Sequence, residues 1–149
     1  MSEHQYNTLL SFKLGNEFYA LDALKVIHIL EIPRITKVPN TPGYMKGVIN
    51  LHGNIVPVVD LRLVMGFDEA EFNSDTAIVV INPDDQQDSR LGLIVDMVKE
   101  VIEAQGIEIK PTVVDVENNM LKNFQGTFAI GTQFVNIIDI DELVSVAEV

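Results

Sequence analysis

Two short signatures occur twice in this chain, in the same order. The first is ALDALKV at 20–26 against IVDMVKEV at 94–101: an apolar pair, an aspartate, an apolar pair, a lysine and a valine. The second is VVDLRLV at 58–64 against IIDIDELV at 137–144, each reached from an apolar strand after a glycine turn at Gly53 or Gly131. A repeat of this kind predicts two small β-lobes built alike and packed on a shared apolar layer, because neither alone buries enough surface. The lobes run over roughly 6–66 and 74–146 within a single domain spanning 1–149. The repeat also predicts that Asp22 superposes on Asp96 and Asp60 on Asp139.

The segment from Lys46 to Gly66, KGVINLHGNIVPVVDLRLVMG, is the densest core element. Two branched apolar runs, 48–51 and 55–61, flank a polar break at Gly53 and Asn54, which is a hairpin signal. Pro57 lacks a donor, so the second run is expected to be an edge or bulged strand. Residues 6–14 and 17–21 form another hairpin around Gly15 and Asn16. Asp22 caps a turn over 23–25, and 26–32 alternates as a strand rich in β-branched residues. Pro33, Pro39 and Pro42 punctuate an extended connector. Further strands are expected at 76–81, 91–95, 101–103, 128–130 and 134–138. Residues 96–99 read as a turn like that at 22–25, and 82–89 as an exposed loop. The acidic DIDELVSV at 139–146 reads as a short closing helix.

Composition narrows the function. With 149 residues and 47% hydrophobic content, the chain buries a core without crosslinks. The absence of cysteine excludes disulfides, thiolate metal sites and cysteine nucleophiles. No apolar run reaches the roughly 20 residues that span a bilayer, and the N-terminus MSEHQYN has no signal-peptide core. Net charge is −12. It is uneven: residues 1–66 sum to +1 and 67–149 to −13. Such an acidic second half repels nucleic acid and anionic membrane surfaces, and it suits either a plain solvated surface or a basic partner.

No glycine-rich phosphate loop, HExxH helix, GxSxG elbow or calcium loop is present. The four repeated aspartates are read as caps of the turns that follow them. His4, His28 and His52 are the histidines. His28 and His52 lie 24 residues apart on strands of one lobe and can meet, but two ligands without a third make no metal site. No catalytic residue, cofactor or metal is assigned. These residues describe a non-enzymatic β protein that works by contact, and two lobes suit an adaptor with more than one surface. A small soluble enzyme of unknown type is the alternative from another class.

The stretches FKLGNEFYALDALKV (12–26), ITKVPNTPGYMKGVINLHGNIVPVVDLR (35–62), LGLIVDMVKEVI (91–102) and VNIIDIDELV (135–144) resemble the CheW family, the coupling proteins of bacterial chemosensory arrays. The resemblance implies an all-β fold of two small Src-homology-like five-stranded β-barrels packed on a shared apolar core, with a short C-terminal helix. It implies a cytoplasmic, non-catalytic adaptor, monomeric when free. Such an adaptor joins the cytoplasmic tip of a methyl-accepting chemoreceptor to the histidine kinase CheA, whose homologous regulatory domain can alternate with it in rings. A scaffold for a different sensory or motility kinase is the alternative within the family. Val26 and Gly47 match positions associated with partner binding, so Gly47→Asp is expected to weaken binding without unfolding the protein. His28 stands where glutamate is common, and His52 where arginine is common. Asn123 and Phe124 stand where a glycine-led apolar pair is usual. An arginine–carboxylate fork cannot be copied by imidazole, and the two histidines are expected to make partner binding pH-sensitive between roughly 5.5 and 7.5.

Overall fold

The computed structural model describes residues 6–84, 89–112 and 119–147; His4 and part of the 82–89 loop lie outside them. The order is β1 (Thr8–Leu14), β2 (Glu17–Asp22), a 3-10 turn (Ala23–Lys25), β3 (Val26–Glu31), β4 (Met45–Leu51), β5 (Asn54–Asp60), α1 (Leu61–Val64), β6 (Ala77–Ile81), β7 (Leu91–Val95), β8 (Met97–Glu103), β9 (Phe124–Ile130), β10 (Gln133–Ile138) and α2 (Ile140–Ala147). Aspartate side chains start three of the short helical turns. Asp22 accepts from the Leu24 N–H, Asp60 from the Arg62 N–H and Asp139 from the Asp141 N–H, which satisfies donors the turn leaves open. Asp96 does not cap: Met97–Glu103 is a strand, not the expected turn, and its carboxylate is engaged elsewhere.

The strands form two five-stranded mixed sheets, β8-β1-β2-β10-β9 and β3-β6-β7-β5-β4. The expected barrels are not there. A barrel needs a ladder between its outer strands, yet β8 shares none with β9, nor β3 with β4. Among the described residues one isolated bridge joins each connector to an outer strand, Lys110 to Thr127 of β9 and Thr36 to Val48 of β4. The connector that carries Thr36 is broken by Pro33, Pro39 and Pro42, which supply no donors and cannot extend the pairing. Sheet membership also cuts across residues 6–66 and 74–146, since β1 and β2 join β8, β9 and β10.

Pro57 departs from expectation too. It lies in β5, an interior strand between β7 and β4. Val48, opposite it, exchanges both of its backbone hydrogen bonds with Thr36, at 2.8 and 2.9 Å. The ladder to β7 starts one residue later, at Val58 opposite Gly92. No hydrogen bond therefore requires the donor that proline lacks.

Ladder register aligns the two sheets residue by residue. Val58 lies opposite Gly47, and Ile137 opposite Gly126, so β5 matches β10 and Asp60 matches Asp139, as expected. On their other sides Val58 faces Gly92 while Ile137 faces Ala20. Gly92 therefore matches Ala20, and Ile94 matches Asp22. The expected pairing of Asp22 with Asp96 is two residues out of register.

Strand alternation sends side chains to two layers. Leu10, Phe12, Leu21, Val79, Ile81, Leu93 and Val95 meet Leu143 of α2 in a core shared by both sheets. The opposite faces close on smaller clusters, Val56, Val58, Ile78, Val80 and Ile94 in the second sheet and Leu9, Phe128, Val135 and Ile137 in the first. Both faces of each sheet are thus apolar, which is why their strands read as near-continuous hydrophobic runs.

Candidate partner-binding surface

The β4–β5 turn is made by His52 and Gly53, one residue earlier than the expected Gly53 and Asn54, because Leu51 pairs with Asn54. Both turn residues have positive φ, +51° and +85°, as a two-residue hairpin turn of the primed type demands. Asn50 Oδ1 accepts the Gly53 N–H at 2.9 Å and tightens it. By register His52 matches Gly131, whose φ is +59°. A histidine therefore holds a backbone conformation that the other sheet gives to glycine.

His28 is half-buried on β3 and lies opposite Val80. Its ring centroid is 5.6 Å from that of the exposed His52, with an interplanar angle of 47°. The two imidazoles meet across the opening between β3 and β4, where no ladder joins the outer strands. Among the described residues neither ring has a hydrogen bond or an ion pair. Val26 is half-buried at the start of β3, opposite Ile81, and packs on the shared core. Gly47 lies beneath this surface rather than on it. It is buried with φ +140°, and a Cβ there would overlap the Thr36 carbonyl. The backbone that approaches Gly47 closely is this chain's own connector, at Thr36.

Exposed apolar side chains recur at matched positions in the two sheets. Ile29 on β3 and Ile55 on β5 are exposed, and so are their register matches Val101 on β8 and Phe134 on β10.

Arg62 is a feature the sequence reading passed over. It is 1% exposed. Its Nε and Nη2 donate to Asp60 at 2.9 and 2.8 Å, and Nη1 donates to Asp96 at 3.1 Å. Asp96 also accepts the Gly15 N–H at 2.6 Å, and the guanidinium lies 5.4 Å from the Phe72 ring centroid. Hydrogen bonding to Asp60 holds the guanidinium charged, above its usual value, against the opposing effect of burial. The DLR spacing was the available signal, because a cap aspartate two residues before an arginine can bind it back. The network ties α1, after the second sheet, to the β1–β2 turn of the first. Its cation is spent on two carboxylates, so it does no chemistry.

Among the described residues no three histidine, cysteine or acidic side chains group to hold a metal ion. A cavity of about 830 Å³ beside the β9–β10 hairpin is lined by Ile107, Phe128, Phe134, Glu108, Lys110 and Asn136. No convergent pair of carboxylates or imidazoles lines it. Among the described residues no helix is long and apolar enough to cross a membrane.

Residues 8–148 match the CheW-like domain family. The chain belongs to that family. It is 33% identical to the chemotaxis protein CheW of Klebsiella aerogenes, over 93% of this chain and 82% of that one. It is 33% identical to the CheW of Helicobacter pylori, over 90% and 79% respectively. The crystal structure of the scaffolding protein TtCheW from Thermoanaerobacter tengcongensis matches with a TM-score of 0.78 at 30% identity, covering 91% of this chain and 90% of that one. The protein is thus a non-catalytic adaptor of the CheW type, the kind that couples chemoreceptors to a histidine kinase in chemotaxis signalling.

Proposed function

We propose that this adaptor joins the cytoplasmic tip of a methyl-accepting chemoreceptor to the regulatory domain of the kinase CheA, acting as a free monomer recruited to the array from the cytoplasm. The contact surface is the open side of the second sheet, with His28 and His52 at its centre and Val26 beside them. Gly47 shapes it from below. The observation that supports this most is the His28–His52 contact at 5.6 Å. Imidazole nitrogens with open hydrogen-bonding capacity serve a partner's polar groups.

The test is capture of the purified receptor cytoplasmic fragment and the kinase regulatory domain by the full chain. His28→Ala and Ile55→Asp should each weaken capture by about tenfold or more if these residues are central, with unchanged melting temperature. Equal capture by both variants would move the surface elsewhere. Capture of neither partner by wild type would favour a different sensory or motility kinase.

A further inference from the structure

We propose that the His28–His52 pair is a proton-dependent docking site for a carboxylate side chain on an acidic segment of a protein partner. This deepens the reading of the second sheet's open side as a partner surface, and rests on it. The pair is built rather than incidental. His28 is held half-buried on β3 opposite Val80. His52 is fixed at a left-handed turn position that ordinary side chains avoid. The two rings converge at 5.6 Å across the one side of the sheet left without a ladder, and among the described residues neither nitrogen pair is used within the chain.

Charge selects the occupant. The chain carries −12 overall, yet residues 25–59 hold four basic side chains, Lys25, Arg34, Lys37 and Lys46, against one acidic, Glu31. The elements packed around the pair contribute Lys25 and Glu31 from β3 and its approach, Arg34 and Lys37 from the connector, Lys46 from β4 and Asp60 from the end of β5; β6 contributes none. Of these, Lys46 is paired with Glu69 at 2.6 Å, and Asp60 is occupied by Arg62. Residues 25–59 are therefore the net-cationic stretch of an acidic chain, with Lys25 Nζ donating to the Pro83 carbonyl, and an acidic segment is what this charge balance attracts.

Protonation sets the strength. Imidazole changes charge between about pH 5 and 8. An imidazolium donates a charge-assisted hydrogen bond to a carboxylate, roughly twice as strong as the neutral one. A carboxylate between the rings also offsets the repulsion of two protonated neighbours. Docking therefore tightens as pH falls through this range.

The probe is a hexaglutamate peptide, titrated into the full chain at pH 6.0 and 7.8 while imidazole and backbone NMR signals are followed. Shifts confined to His28, His52 and their strand neighbours, with affinity about fivefold or more tighter at pH 6.0, are expected from a charge-assisted contact. His52→Asn keeps the turn and should remove both the peptide shifts and the pH difference. Equal affinity at the two pH values, shifts spread over the surface, or an unaltered response in His52→Asn would overturn the proposal. Loss of the peptide response with receptor and kinase capture intact removes the carboxylate site alone. The reverse result removes the adaptor reading of this surface and leaves the carboxylate site.

Discussion

Gly47 and Gly126 occupy the same place in the two sheets. Each lies thirteen residues before the aspartate that ends its hairpin, Asp60 or Asp139. Each has φ near +140° and is pressed against the connector that crosses the open side of its sheet, Thr36 for one and Ile109 for the other. The residue after each makes the single bridge there, Val48 to Thr36 and Thr127 to Lys110. A side chain at Gly47 would overlap the connector's backbone, and one at Gly126 the Ile109 side chain.

Gly47→Asp should therefore act on folding first. The strained φ and the overlap with a backbone carbonyl together cost about 3 kcal/mol or more, which lowers the melting temperature by roughly 10 °C for a domain this size. Calorimetry of Gly47→Ala and Gly126→Ala should show losses of similar size. A variant at Gly47 that melts like wild type but binds its partners poorly would return Gly47 to a direct contact role.

Arg62 is the second test. Asp60→Ala leaves a buried guanidinium with half of its partners, a change worth about 3 kcal/mol or more. Asp96→Ala removes two hydrogen bonds to a partly exposed carboxylate, from Arg62 Nη1 and from the Gly15 N–H, and should cost about 1 to 2 kcal/mol. Denaturant midpoints will rank the two. Equal losses would mean that the tie to the β1–β2 turn, not the pair with Asp60, carries the network.

His52 separates turn from recognition. His52→Gly matches the glycine of the other hairpin and should leave the melting temperature unchanged or slightly raised. His52→Val forces a β-branched residue into positive φ and should lower it. Thermal melts of the two variants check this, and a stable His52→Val would show that the turn does not need its left-handed residue.

Stability should fall in alkali through the tyrosines. Burial pushes the Tyr6 phenol up to about 12. Burial, followed by its 2.7 Å hydrogen bond to Glu17, raises Tyr19 further. An unfolded tyrosine ionises near pH 10, so their contribution is complete below that value and is lost as pH rises toward the folded values. Melting temperatures from pH 9 to 11 should decline, and less steeply in Tyr19→Phe. Parallel declines would assign the slope to other groups.

Much of this protein was legible in the residues alone. Short apolar runs rich in branched residues and bounded by glycine turns marked the strands, because β-branched side chains fit a pleated, buried surface. The aspartates at 22, 60 and 139 were legible as caps for the same local reason, and the long resemblance carried the family and the adaptor role. What the sequence could not decide was anything set by strands distant in the chain. Among the described residues each connector, the proline-broken one included, makes one bridge to an outer strand, and no ladder closes either sheet. Asp22 and Asp96 share a motif but not a register, since hydrogen bonding to β10 and β5, not local spelling, sets the alignment. Gly126 hid in FQGTFAI; its spacing to Asp139 was the clue, but its meaning needed Ile109 pressed against it. The nearness of His28 and His52 was expected, while their meeting across an unpaired sheet opening was decided by tertiary structure. Local chemistry is written residue by residue, whereas register and closure depend on which distant backbones find each other.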